Sequence, residues 1–170
     1  MRIFHRRRLG VVVVAAASAL AFAAGGAVAA ATTHDGGAVT KTAVRTESTF
    51  STHTGTTFTA LGTVTVDATA GGFVVATFSA ESACYGAAGT CQVRILVDGV
   101  EANPVAPNDF AFDSTDGGTE TSSSWESHSV QRVWNTAMDG PCTVEVQVKQ
   151  ASGVTARYDD WTLTAMAIAP

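Results

Sequence analysis

The stretch Ser122 to Gln131 reads SSSWESHSVQ, and it brings a serine, a glutamate and a histidine close together. A serine activated by a histidine, which an acid in turn orients, is the nucleophile of many hydrolases. In a strand, Ser124, Glu126 and His128 would share one face, but the Cα atoms of Ser124 and His128 would lie about 13 Å apart. Glu126 would stand between them, where a triad needs the histidine. We therefore interpret the stretch as a solvated strand face with a local Glu126–His128 contact, and we expect no catalytic residue.

Two alternatives to this interpretation stay open. A secreted hydrolase could still use His128 with a serine from another strand, although the sequence holds no G-x-S-x-G motif to present that serine. The acidic loop that ends at Glu126 could instead hold calcium, which binds carboxylate oxygens. Its acidic residues are Asp109, Asp113, Asp116, Glu120 and Glu126. The D-x-D-x-D-G spacing is absent, so we predict no metal site and no cofactor, and a calcium-stabilised carbohydrate-binding module is the alternative.

Aromatic side chains are the remaining candidates for ligand contact. Exposed rings on a sheet can stack on sugar rings, because both present flat apolar faces. Trp134 and Trp161 each start or end an apolar strand pattern, so we expect them in the core. Trp125, beside a serine-rich loop, and Tyr85, between two cysteines, are the candidate ligand-binding residues.

The amino terminus has the pattern of a secretory signal peptide over residues 1 to 29. Arg2 and the run Arg6 to Arg8 form a basic head, an apolar segment follows, and Ala27-Val28-Ala29 is a small-x-small cleavage signal. Cleavage there predicts a secreted, extracellular protein that leaves the membrane. An uncleaved anchor and a twin-arginine export route are the alternatives.

The charge of the chain limits its partners. The formal net charge is −5, from ten basic and fifteen acidic residues. Removal of residues 1 to 29 leaves six basic residues against the same fifteen, a formal charge of −9. A chain this acidic is a poor partner for nucleic acid or an anionic membrane surface. We expect an extracellular ligand, and both a carbohydrate and a protein fit.

Three cysteines are present, Cys84, Cys91 and Cys142. Export exposes cysteine pairs to oxidising conditions, which favours a disulfide. Cys84 and Cys91 bracket YGAAGT, whose glycines can close a tight turn, so we predict this pair. The pairing Cys91–Cys142 is the alternative. Cys142 is in phase with the apolar face of its strand, so we expect a buried thiol there.

The remaining pattern is that of β-strands. After Phe58, apolar residues alternate with polar ones at period two, turn residues recur at short intervals, and no helical period is evident. We predict a single antiparallel β-sandwich of jelly-roll type over residues 58 to 170. Residues 30 to 57, rich in Thr, Ser and Gly, are predicted to be a flexible lead-in with at most one edge strand near residues 43 to 48.

The segments CQVRILVDGVEANP, FAFDST, ESHSVQR, TVEVQVKQ and DDWTLTA carry a resemblance. They resemble a group of uncharacterised secreted bacterial β-sandwich proteins and, more loosely, jelly rolls of the C1q/TNF type. The resemblance covers residues 60 to 168 and implies the fold alone, since the group has no activity to transfer. The sequence thus predicts a secreted, non-catalytic binding or structural module that is not an enzyme.

Overall fold

A computed structural model describes residues 33 to 105 and 110 to 170 of the chain. The predicted signal peptide lies outside these described residues. None of the described residues forms a helix long and apolar enough to cross a membrane. The strands are β1 (Val39–Glu47), β2 (Ser51–His53), β3 (Thr59–Ala68), β4 (Phe73–Gly86), β5 (Gly89–Val97), β6 (Val100–Glu101), β7 (Asp113–Thr115), β8 (Glu126–Asn135), β9 (Gly140–Gln150) and β10 (Val154–Ile168).

The strands form two antiparallel sheets that pack face to face. Sheet A has the order β1-β10-β4-β8, with β2 also paired to β10, and sheet B has the order β3-β9-β5-β6, with β7 paired to β5. The long strands alternate between the sheets, so that β3, β5 and β9 belong to sheet B and β4, β8 and β10 to sheet A. The predicted all-β sandwich is confirmed, and its chain path crosses repeatedly between the layers as in a jelly roll.

Alternation of side chains explains why these segments form strands. In β9, Val144, Val146 and Val148 are fully buried, whereas Glu145 and Gln147 between them remain partly accessible. One face of each strand thus enters the core and the other faces solvent, which is the arrangement that a period-two pattern predicts.

The sandwich begins earlier than the sequence indicates. The lead-in was predicted to reach residue 57 with at most one edge strand near residues 43 to 48. That edge strand is present, but as β1 it pairs with β10 from Val39 to Glu47, and β2 pairs with the same strand further along. Only Ala43 of this segment packs against the core as a partly buried apolar residue. An edge strand held mainly by backbone hydrogen bonds needs few apolar residues, so its sequence looks like a linker.

The last strand is continuous where two strands were predicted. Segments Val154 to Tyr158 and Trp161 to Ile168 join in β10, and both pair with β4. A register irregularity between Asp159 and Thr162 marks the junction, and Asp160 has a φ of 43°. Aspartate tolerates this left-handed conformation better than most residues, so the strand bends there without ending.

Aromatic rings fill the centre of the core. Phe78 of β4 lies 5.5 Å from the ring of Phe112, 6.4 Å from Tyr158 and 6.1 Å from Trp161. All four side chains are at most 5% exposed. A Cβ atom at Gly62 of β3 would lie 2.5 Å from the Trp161 ring, so only glycine leaves room for that indole.

The Cys84–Cys91 disulfide is present, and it joins the two sheets. Cys84 lies in β4 of sheet A and Cys91 in β5 of sheet B, so the bond closes the corner where the chain crosses between the layers. In the chain-entropy model a loop of this size stabilises the fold by about 2.5 kcal/mol.

Cys142 is free and buried, as predicted. Burial raises the pKa of its thiol, and the neighbouring Asp98 carboxylate raises it further. The thiol is therefore protonated at neutral pH and a weak nucleophile.

Candidate functional site

His128 belongs to the inner face of sheet A, not to a solvated face. It is in phase with Val130 and Arg132, which are 6% and 7% exposed, whereas Ser127 and Ser129 are exposed on the outer face. The imidazole is half-buried because β8 is the edge strand of sheet A, so its inner face opens at the rim of the sandwich. The predicted phase is correct, but the prediction that the whole face is solvated was wrong, because Val130 on the same face is buried and only Glu126 at the strand end is exposed.

Three donor groups meet at this rim, and we call Asp113, Glu126 and His128 the rim cluster. Nε2 of His128 lies 3.2 Å from Oε2 of Glu126 and 3.8 Å from Oδ1 of Asp113. One donor atom from each residue lies within 4.8 Å of the other two. The predicted Glu126–His128 contact is present, and Asp113 joins it from the opposite sheet.

Asp113 is the fixed member of the rim cluster. It begins β7, pairs with Cys91 of β5, and is 7% exposed. Its Oδ2 accepts a hydrogen bond of 2.7 Å from the Ser82 hydroxyl of β4, which is fully buried. Its Oδ1 accepts a hydrogen bond of 2.7 Å from the backbone N–H of Ser114. The Ser82–Asp113 bond therefore links the two sheets and aims the carboxylate at His128.

An aromatic ring packs against the histidine on the side of the core. The Phe112 ring lies 5.4 Å from the His128 ring and 6.2 Å from the Tyr158 ring. Burial raises the pKa of the Tyr158 hydroxyl, and the Asp113 carboxylate raises it further. Tyr158 therefore remains neutral and adds no negative charge beside Asp113.

The rim cluster does not have the order of a catalytic triad. The serine, Ser82, donates to Asp113, and His128 lies on the far side of that carboxylate. A histidine must contact the serine to accept its proton, so this order cannot activate Ser82. Ser124, the other candidate nucleophile, accepts a hydrogen bond from the backbone N–H of Thr121 in its own turn.

The rest of the acidic loop is engaged locally. Asp116 accepts a hydrogen bond from the N–H of Gly118, and Glu120 accepts one from the Thr115 hydroxyl. Asp109 lies outside the described residues. Of the acidic residues that the sequence grouped, only Asp113 and Glu126 come together in the part of the chain that the structure describes.

The aromatic candidates, Trp125 and Tyr85, lie on the outer face of sheet A, at the end of the sheet where β8 begins. The Arg157 guanidinium of β10 is stacked between two rings, 3.9 Å from the centroid of Phe50 and 4.9 Å from that of Trp125. Its Nη1 donates a hydrogen bond of 2.6 Å to the Ser122 carbonyl. Trp125 is half-buried by this stacking, whereas Phe50 is 49% exposed.

Strand register places Tyr85 on the same outer face. Arg157 pairs with Ala83, and Thr155 pairs with Tyr85, so Tyr85 is the diagonal neighbour of Arg157. Diagonal neighbours on a sheet are about 7–8 Å apart, within reach of long side chains. Ala83 is small and fully buried, so the longer side chain of Arg157, its partner on β10, has room to lie over it. We call Phe50, Tyr85, Trp125 and Arg157 the aromatic platform.

An open cleft adjoins the aromatic platform through Phe50. Its other lining residues include Arg45, Glu47, Leu61 and Trp161. The Arg45 guanidinium lies 5.3 Å from the Trp161 ring centroid, so this cleft too combines an aromatic ring with a cation.

The sequence indicated Tyr85 and Trp125 but not their partners. Phe50 was assigned to the lead-in, and Arg157 is separated from Trp125 by more than thirty residues. The pairings of β2 and β4 with β10, and of β8 with β4, bring them together. Asp113 was one of several loop carboxylates. Its position directly after the apolar Phe110-Ala111-Phe112 segment was the one signal that it begins a buried strand.

No protein-family model and no curated protein sequence matches this chain.

Replacement of Ser82 by alanine tests the link between the sheets. The change removes the hydroxyl that satisfies a buried carboxylate oxygen, so we expect the free energy of unfolding to fall by about 1–3 kcal/mol. Chemical denaturation measures this difference. Ser79→Ala is the matched control, because Ser79 lies on the outer face of the same strand and bonds only to Ser129. It should change stability by less than about 0.5 kcal/mol. Equal effects of the two variants would contradict the assigned role of Ser82.

Proposed function

We propose that this chain is an exported, non-catalytic β-sandwich module that binds a neutral polysaccharide on its aromatic platform. The observation that carries the proposal is the stacking of Arg157 between Phe50 and Trp125, with Tyr85 on the same face. Rings present flat apolar surfaces to the C–H faces of sugars, and a guanidinium supplies several hydrogen-bond donors in a fixed plane for sugar hydroxyls.

The platform is held in shape before a ligand arrives. Phe50, Trp125 and Arg157 come from three separate segments, and cation–π contacts and the bond to the Ser122 carbonyl fix them together. A preformed surface loses less side-chain entropy on binding, so more of the free energy of ring and hydrogen-bond contacts with a polysaccharide is retained as affinity. The cleft beyond Phe50 would give a chain of sugar rings a continuous path.

Charge favours a neutral polysaccharide over an anionic one. The chain carries a net negative charge of −5, and −9 if residues 1 to 29 are removed. A polyanion would be repelled by this field, which one arginine on the platform does not reverse.

Export is supported by the basic, apolar and small-residue segments at the amino terminus and by the Cys84–Cys91 disulfide, which is typical of oxidising compartments. The alternation of strands between the sheets supports the proposed resemblance to secreted bacterial β-sandwich proteins and, more loosely, to C1q/TNF-type jelly rolls.

Polysaccharide binding is tested by sedimentation with insoluble cellulose and chitin, with soluble alginate as the anionic competitor. We expect binding to at least one neutral polymer and no competition by alginate. Trp125→Ala and Tyr85→Ser should each weaken binding about tenfold, the size expected when a ring contact worth about 1.4 kcal/mol is lost.

Met138→Ser is the control for non-specific adsorption of apolar side chains. Met138 is 78% exposed and follows the far end of β8, so its loss should leave binding unchanged. Thermal melts of each variant separate loss of the ligand contact from loss of the fold. Absence of binding to both polymers, or equal binding by the Trp125→Ala variant, would contradict the proposal.

Export is tested by expressing the full chain in a bacterial host and sequencing the amino terminus of the mature protein. We expect the protein outside the cytoplasm with Ala30 as its first residue. Ala29→Phe should block cleavage, because signal peptidase requires a small residue there, whereas Ala31→Phe should be processed normally. Recovery of the intact chain from the cytoplasm would contradict export.

A further inference from the structure

The rim cluster brings together charged and metal-ligating groups that the aromatic platform does not use. Asp113 is a buried carboxylate, and burial of a charge costs free energy unless an opposite charge accompanies it. Among the described residues, His128 is the one basic side chain with a nitrogen within 4.0 Å of that carboxylate. Glu126 adds a second negative charge at the same place, so the cluster holds two carboxylates against one histidine.

The spacing of the donors matches the coordination shell of a small metal ion. Ligands about 2.0–2.1 Å from a tetrahedral ion lie about 3.3 Å apart. The distances from His128 Nε2 to the two carboxylate oxygens are 3.2 Å and 3.8 Å, close to that value. The longer of the two, between His128 and Asp113, would have to shorten by about half an ångström to reach that value.

The chemistry of the donors selects the class of ion. One imidazole nitrogen and two carboxylate oxygens suit Zn²⁺ and its first-row neighbours, whereas Ca²⁺ takes six to eight oxygen ligands. Support around the ligands is also in place, because Ser82 and Ser114 orient Asp113 and the Phe112 ring packs against His128. Such outer contacts are typical of metal sites.

We propose that Asp113, Glu126 and His128 bind one divalent transition-metal ion, with Zn²⁺ as the ion that the donors fit best. Asp113 supplies the fixed ligand from sheet B, and Glu126 and His128 supply two ligands from β8 of sheet A. The ion would bridge the two sheets at their open rim and neutralise the excess negative charge there. Because Glu126 is exposed, water could complete the coordination of the ion.

The alternative is an ion triad without metal, in which a protonated His128 alone lies between the two carboxylates. The two arrangements differ in what a metal titration measures. Calorimetric titration of the untagged, chelator-treated protein with ZnCl₂ should give one ion per chain, and CaCl₂ should give no comparable signal. Cobalt substitution should give visible d–d absorption without the strong thiolate charge-transfer band that Cys142 would produce.

Variants locate the site. Glu126→Gln removes one ligand at an exposed position, with a side-chain exposure of 66%, so the fold should persist and the dissociation constant for Zn²⁺ should rise about tenfold or more. His128→Gln should have an equal or larger effect. Glu120→Gln is the matched control, since Glu120 lies in the same loop but bonds to Thr115 outside the cluster.

Cys142→Ala is the second control and should bind Zn²⁺ as the unaltered protein does. Retained affinity in the Glu120→Gln and Cys142→Ala variants, with loss in Glu126→Gln and His128→Gln, supports the site. No uptake of Zn²⁺, or equal affinity in all four variants, overturns it and leaves the ion triad. Neither result depends on carbohydrate binding, so this proposal and the proposed function can fail separately.

Discussion

The ring of Phe78 is surrounded by Phe112, Tyr158 and Trp161, and this aromatic cluster is the contact on which the rest of the structure depends. Phe78, Tyr158 and Trp161 come from neighbouring strands of sheet A, while Phe112 leads into β7 of sheet B. Burial of an aromatic ring stabilises the fold more than burial of a smaller side chain such as valine, because a ring removes a larger apolar area from water. Valines on both inner faces fill the remaining space.

Polar groups can enter the rim of the sandwich because this core ends at an edge strand. β8 has a neighbour on one side only over its first residues, so the inner face near Glu126 and His128 opens to water while Phe112 closes it from below. Ser82 and Asp113 are buried further from solvent, and the Ser82 hydroxyl donates a hydrogen bond to the Asp113 carboxylate. The two faces of the same sheet end therefore differ in chemistry. The outer one is aromatic with a cation, and the inner one is anionic with a histidine.

The period-two alternation of valine with polar residues was sufficient to predict the sandwich and most of its strands, because local side-chain burial decides strand phase in segments such as Val144 to Val148. The disulfide was predicted separately, from export and from the glycines between Cys84 and Cys91. The alternation indicated only the second half of β1, as one edge strand near residues 43 to 48, and missed β2, because both strands are held by backbone pairing to β10 and carry little apolar signal. The alternation was also misread at His128, because its face was judged from the polar residues Glu126 and Ser124 and not from Val130, which shares that face and is buried. Tyr85 and Trp125 were identified, but Phe50 and Arg157 join them only through pairings between distant strands, which no local pattern encodes.

The most direct test of this account is a measurement of proton–proton nuclear Overhauser effects among the aromatic side chains. The structure predicts an unbroken series of cross-peaks from the Trp161 ring to Phe78, from Phe78 to Phe112, and from Phe112 to the imidazole of His128. This series would place the histidine on the inner face, above the core that links the two sheets. A His128 ring with cross-peaks only to Ser127, Ser129 and solvent-facing neighbours on β4 would contradict both the phase of β8 and the rim cluster built on it.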